Sequence, residues 1–277
     1  MFKMVVVGTA AALVVAMRLT ALCVLLEIVL PEKGQIPTST RLKGLTLGVF
    51  AVGSSGAIGV IASHLLEKTG IRPLLAVPPF AAGPVVQVLW VVAGTVFAAL
   101  AFEFFYYWLH RAQHAVPLLW RFHSVHHAIG DISAANAYAH WTEEFWRSLF
   151  IVLPSALFLP AGIPAAPWIQ TVMMVQAAYV HSQIRLHLGP FRWVICESRY
   201  HRIHHSIEPR HFDVNYGVFT PVWDWVFGTQ YMPARNEWPA TGLADRPEVA
   251  GISDYVFRPF KRAQTPAAAA TFPASTR

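Results

Sequence analysis

Of the 277 residues, 55% are apolar and only 13% charged, the composition of a membrane protein and too poor in charge for an ordinary soluble domain of this length. The net charge of +6 does not point to nucleic acid: the basic residues lie between apolar stretches and no nucleic-acid-binding module is present, so anionic lipid headgroups are the counterpart the charge implies. Two cysteines, Cys23 and Cys196, imply no disulfide framework and are too few for an iron–sulfur cluster.

In chain order, Val5 to Leu30 is the first long apolar stretch, interrupted by Arg18 and Glu27; without a basic leader and a small-residue cleavage site it reads as a retained anchor. Leu45 to Leu66 is the second. Its Gly53, Gly56 and Gly59 read as a helix-packing face, because no strand precedes them as a nucleotide loop requires. The third, Val85 to Leu109, would be roughly 37 Å long as a helix against a hydrocarbon core of about 30 Å, so its end must leave the bilayer. That places His110 and His114 at or just beyond the membrane surface, with the aromatic run Phe104 to Trp108 as an interfacial belt. Phe145 to Leu159 and Trp168 to Val180 are too short to cross as straight helices. With Pro160, Pro164 and Pro167 between them they suit a hairpin dipping into the membrane, two tight spans being the other reading. The Ala, Pro and Thr-rich tail, 263–277, reads as disordered. The expected fold is therefore all-α, a membrane helical bundle of about four spans. Residues 1–84 would form N-terminal membrane helices, 85–235 a histidine-bearing catalytic domain and 236–277 a C-terminal extension. Arg111, Arg121, Arg147, Arg185, Arg192, Arg199, Arg202, Arg210 and Arg235 collect on the histidine side, which by the positive-inside rule is cytoplasmic.

Eight of the thirteen histidines form three groups: His110 and His114 in HRAQH, His123, His126 and His127 in HSVHH, and His201, His204 and His205 in HRIHH. Residues three or four apart share a helix face, so each group aims its imidazoles one way. Eight imidazoles exceed what one first-row ion takes and suit two. The groups contain no carboxylate, which leaves iron and zinc both open on ligand chemistry. Neither string of the zinc proteases, His-Glu-x-x-His or His-x-x-Glu-His, occurs.

The stretches Glu103-Phe-Phe-Tyr-Tyr-Trp-Leu-His110-Arg111-Ala-Gln-His114, Trp120-Arg-Phe-His123-Ser-Val-His126-His127, Arg199-Tyr-His201-Arg-Ile-His204-His205-Ser206, Asn215-Tyr216-Gly217 and Trp223-Asp224-Trp-Val-Phe227-Gly228-Thr229 resemble, in order and separation, those of the fatty acid hydroxylase and sterol desaturase superfamily. The resemblance covers about residues 100 to 230. It implies a cytosolic helical cap on a few membrane helices, a histidine-bound dimetal centre and oxygen-dependent chemistry on a lipid. It makes His181 a ninth ligand. His187, six residues on, does not share its helical face and reads as a loop residue. His140 stands where relatives carry a histidine near an acidic residue, and is expected to orient a ligand; Glu143 or Asp131 would accept a ligand's second N–H. Glu103 replaces the Asp usual in relatives, two turns before His110, and a carboxylate in a spanning segment is by default a functional residue. Asp224 is assigned to holding the fold around the site.

Hydroxylating an unactivated C–H bond needs dioxygen, two electrons and a metal that changes oxidation state, so the resemblance implies two iron ions, with zinc as a substitute. No organic cofactor and no electron carrier is encoded, since a haem-attachment motif and a dinucleotide fingerprint are both missing. The expected partners are the lipid substrate (fatty acyl, sterol-like or carotenoid), the membrane and an external donor of the ferredoxin or cytochrome b5 type, docked on the arginine-rich face. Desaturation at the same centre is the alternative outcome. A zinc hydrolase and a metal transporter are the non-redox ones.

Overall fold

The computed structural model describes residues 2–31, 36–77, 83–164, 168–184 and 186–261. The tail 263–277, Pro167 and Arg185 lie outside the described residues. Three long helices carry the apolar stretches: α1 Phe2–Val29, α2 Thr38–Thr69 and α3 Pro84–Ala115. Only 11%, 11% and 17% of their most apolar windows is buried inside the protein, so the remaining side chains, Val85, Val88, Leu89, Val92 and Val96 of α3 among them, face outward as lipid-facing residues do.

Proline sets the corner on which the site is built. Val116, ahead of Pro117, is extended (φ −99°, ψ 115°), as the clash with the proline ring requires, and Pro117 then opens α4, Pro117–His127. The histidines at the end of α3 and those of α4 therefore lie on two helices meeting at a bend, not along one rod.

After α4 the chain returns through α5 Glu143–Arg147, a π-helical turn Ser148–Val152 and α6 Leu153–Phe158. The wide turn has a local cause: Pro154 has no N–H for the carbonyl four residues back, and the neighbouring Leu153 N–H bonds Ser148 O instead. This rod is about 24 Å long and α7, Ile169–Val180, about 18 Å, both short of the hydrocarbon core. Among the described residues three helices are long and apolar enough to span. The end of α6 and the residues just after it meet the α2–α3 connection, where Leu74 N–H donates to Leu157 O (2.9 Å) and Val77 N–H to Ala161 O (2.8 Å). Gly94 of α3 is needed there: a Cβ would stand 2.0 Å from Pro164 O.

The rest forms a cap of short helices, α8 Ser198–His204, α9 Val222–Phe227 and α10 Ile252–Phe257, and among the described residues there is no strand beyond isolated bridges. The cap sits on α2 through a core of Leu47, Ala51, Val125, Ile129, Ile132, Tyr138, Val249 and Tyr255. A second core joins Val180 to Cys196, Tyr200 and Val218. Glu27, which interrupts the first apolar stretch, is buried at the end of α1; it pairs with Arg41 of α2 at 2.7 Å and accepts the N–H groups of Ala134 (2.7 Å) and Gln183 (2.8 Å). One carboxylate thus ties two membrane helices to two cap loops.

Candidate metal centre

Three helix ends and one cap residue deliver the imidazoles. His110 and His114 stand on the last turns of α3, His123 on α4 with His126 and His127 on its last turn, His201 and His204 on α8 with His205 as its cap, and His181 caps α7. All nine candidate ligands fall into two groups whose ring nitrogens lie within 4.8 Å of one another: His110, His114, His123, His127 and His204 in one, and His126, His181, His201 and His205 in the other. The groups are adjacent, for the rings of His127 and His205 stack at 4.2 Å. The spacing explains the sorting. His126 and His127 are neighbours on α4 and point apart, as do His204 and His205, so the second and third clusters of the sequence feed both groups while His110 and His114 serve the five-histidine one alone.

The tautomers decide what the groups can bind. The Nδ1 atoms of His110, His126, His181 and His204 lie 2.7, 3.1, 2.6 and 2.8 Å from the carbonyl oxygens of Tyr216, Tyr138, Ala177 and Val214. A carbonyl only accepts, so each Nδ1 carries the proton and each Nε2 is a bare lone pair. Yet Nε2 of His126 faces Nε2 of His181 at 3.1 Å, lone pair against lone pair. The Nε2 atoms of His201 and His181 stand 3.0 Å apart, those of His204 and His127 3.1 Å, and Nε2 of His110 has no hydrogen-bond partner among the described residues. Convergent buried lone pairs without a donor repel unless a cation lies among them. Burial, followed by the neighbouring imidazoles, holds His126, His127, His201, His204 and His205 well below their ordinary value near 6.5, and burial lowers His181 to about 4. Burial thus favours the neutral ring, the form that ligates transition metals. Five and four nitrogen donors fit two metal ions.

A loop after α8 fixes two of the rings. Asp213 (φ 58°) and Asn215 (φ 60°) adopt left-handed backbone, which these residue types tolerate best after glycine, and they flank Val214 and Tyr216, whose carbonyls hold His204 and His110. Asn215 is locked by three bonds, donating to Tyr200 O (3.0 Å) and Tyr231 O (2.8 Å) and accepting from Tyr231 N–H (2.7 Å). Asp224 accepts from Tyr216 N–H (2.8 Å), Gly217 N–H (2.7 Å), Thr229 Oγ1 (2.7 Å) and Tyr200 Oη (2.9 Å). A Cβ on Gly217 would stand 2.4 Å from Thr220 O, so no larger residue fits the turn. Glu103 belongs to the same framework: its Oε1 accepts the N–H groups of Val218 and Phe219 at 2.7 Å each and faces that of Thr220 at 3.4 Å. It therefore acts on His110 through the loop and touches no imidazole of either group.

Glu143 stands beside a candidate ligand, its Oε1 3.4 Å from Nδ1 of His123 without a hydrogen bond between them, while its other oxygen accepts a short bond from Gln113. His140 joins neither group. Its Nδ1 meets Thr142 Oγ1 at 2.8 Å and its Nε2 lies 3.3 Å from Val256 O, so it braces the cap beneath α4. His187 also lies outside, against Arg199. The Asp131 carbonyl, not its carboxylate, is what Asn136 uses. Sequence reasoning missed Tyr138, Ala177 and Val214, because a carbonyl that orients a ligand leaves no residue signature.

Residues 95–229 match the fatty acid hydroxylase family, a range that begins within α3 and ends just after α9 and so holds all nine candidate ligands. The chain is 32% identical over 146 residues to the alkylglycerol monooxygenase of Homo sapiens, covering 53% of this chain and 32% of that protein. It is 30% identical over 173 residues to the ornithine lipid hydroxylase OlsE of Rhizobium tropici, covering 62% and 50%. A very-long-chain aldehyde decarbonylase of Oryza sativa subsp. indica is 29% identical over 171 residues, covering 56% and 25%. The chain thus spans half or less of the length of these relatives. No solved structure matches it.

Proposed function

From the membership of residues 95–229 in the fatty acid hydroxylase family, we propose that the chain is an integral membrane lipid hydroxylase whose nine histidines hold two iron ions. The observation that carries the reading is the division of the imidazoles into a five-nitrogen and a four-nitrogen set with their lone pairs turned inward. Iron bound there would supply the one-electron redox steps by which dioxygen is activated, which zinc cannot. The balance is that of a monooxygenase: one oxygen atom enters a C–H bond of the lipid as hydroxyl, and the other leaves as water with two protons and two electrons from the donor.

The protein's own part is positioning and exclusion. Backbone carbonyls fix the ring tautomers, the Glu143 carboxylate places a negative charge beside His123, and α3 carries its histidines at the end of the apolar span, so a lipid chain can present a methylene group without leaving an apolar setting. The names of the animal and bacterial relatives, an alkylglycerol monooxygenase and an ornithine lipid hydroxylase, favour a polar lipid with a long alkyl or acyl chain as substrate. The electrons would come from a separate ferredoxin or cytochrome b5 type protein, and the excess of arginine on the histidine side supports a cytoplasmic site.

The test is expression with added iron, purification in detergent, quantification of Fe and Zn, and turnover with reductant, redox partner and total lipid under labelled oxygen. About two iron per chain with label in one lipid class is the expected result. An unsaturated, unlabelled product would assign desaturation to the same centre. Zinc alone, or no oxygen-dependent change in any lipid, would overturn the oxidase reading in favour of hydrolysis or metal transport.

A further inference from the structure

His187 and Arg199 line a cavity of about 310 Å³ together with Gly189, Arg192, Glu197 and Arg235. Three guanidiniums there face one carboxylate. Glu197 is committed elsewhere, accepting Leu188 N–H at 2.7 Å through Oε1 and holding Oε2 3.9 Å from Arg199. Arg192 and Arg235 form no ion pair among the described residues, Arg192 reaching only Met232 Sδ at 3.1 Å and Pro233 O. Arg199 is 3% exposed; Nη1 donates to Ala234 O at 3.1 Å and to Arg235 O, Nη2 meets His187, and Nε has no partner. Arg199 thus lines a cationic cavity with a buried guanidinium N–H for which the described residues supply no acceptor.

The depth of the cavity names the carrier of that acceptor. Ile184 forms a bridge with Pro31, just past the end of the first span at Val29, so the segment leading into the cavity lies at the membrane surface on the histidine side. From there Leu186, Phe191, Trp193 and Val194 project outward, Phe191 66% and Trp193 56% exposed, an apolar and aromatic rim of the kind that sits among headgroups.

We propose that this cavity is a phosphate-binding site of the headgroup layer, in which Arg192, Arg199 and Arg235 clamp the phosphate of an anionic membrane lipid while Phe191 and Trp193 rest in the interface. Planar guanidiniums match phosphate oxygens two by two, and the dense positive charge selects an anionic headgroup over a zwitterionic one. The site rests on the membrane placement of the chain and not on the chemistry at the histidines, so it stands or falls separately from the oxidase reading.

The test uses the full-length, metal-loaded protein in detergent, titrated with phosphatidic acid, phosphatidylcholine and inorganic phosphate and read by native mass spectrometry and thermal shift. Phosphatidic acid should bind about tenfold more tightly than phosphatidylcholine. Arg192→Gln and Arg235→Gln should each weaken it about tenfold, the loss expected of one charge-assisted contact, with metal content per chain unchanged. Inorganic phosphate that binds as tightly as phosphatidic acid and is lost in the same variants would keep the phosphate site and assign it to a soluble ligand. Equal binding of the two lipids with no phosphate binding, or variants indistinguishable from the parent, would overturn the proposal.

Discussion

Each imidazole with its Nδ1 on a carbonyl is aimed before any metal arrives, and the residues that aim it are open to test one at a time. Asn215 is the most exposed to substitution, because it supplies both the left-handed backbone and three hydrogen bonds between the carbonyls that hold His204 and His110. Asn215→Val, β-branched and unable to form those bonds, should misdirect both rings and lower metal affinity in the five-histidine group by about 10 to 100-fold, leaving the four-histidine group loaded. Metal analysis should then fall from about two ions per chain toward one, and two ions per chain would count against the role. Glu143→Gln keeps the size of the side chain but removes the charge beside the His123 ring, so a loss of affinity at the lower end of that range, with unchanged melting temperature, is the expected outcome of a metal titration. Eight of the nine convergent imidazoles were legible because they recur at helical spacing, and His181 was reached only through the family resemblance. The carbonyls of Tyr138, Ala177, Val214 and Tyr216 were not legible, although Asp213 and Asn215, both types that tolerate positive φ, mark the turn that presents two of them.

Elements obey the same division. α1, α2 and α3 were readable from apolar length alone, whereas the corner at Pro117 that folds α4 against α3 emerged only in the fold. The prolines and the shortness of the two later apolar stretches gave the broken pair, whereas the π-helical turn before Leu153 required knowing which neighbouring N–H takes over when Pro154 cannot donate. Glu27 shows the limit most plainly. In the sequence it is a charge interrupting a span, and only the fold shows that it joins α1 to Arg41 and to the backbone at Ala134 and Gln183. Glu27→Leu should therefore leave Arg41 unpaired and two N–H groups without an acceptor, costing about 3–5 kcal/mol, the usual penalty for breaking one side of a buried pair. A thermal melt in detergent should show a clear fall in midpoint. A variant that melts with the parent would mean that the cap is held by its apolar cores alone.

Across the molecule, so many buried neutral imidazoles couple stability to pH. In the unfolded chain they titrate near 6.5, whereas in the fold burial and mutual proximity hold His126, His127, His201, His204 and His205 well below that and burial lowers His181 to about 4. As pH drops through 6.5 the unfolded chain takes up protons that the folded chain refuses, so stability is fully present above that value and is lost progressively toward the folded values. A bound cation occupies the same lone pairs and excludes protons until it dissociates, which moves the loss to lower pH. The metal-free protein should thus melt at a constant temperature between about pH 8 and 7 and at falling temperatures below about 6.5. The metal-loaded protein should hold its midpoint further down and then join the metal-free curve at the pH where the ions are released. Paired melts with metal quantified at each step would follow both events. A metal-free melting temperature that stays level from pH 7 to 5 would mean that the imidazoles are not neutral and buried together, and the fit of the two groups to metal would fall with it.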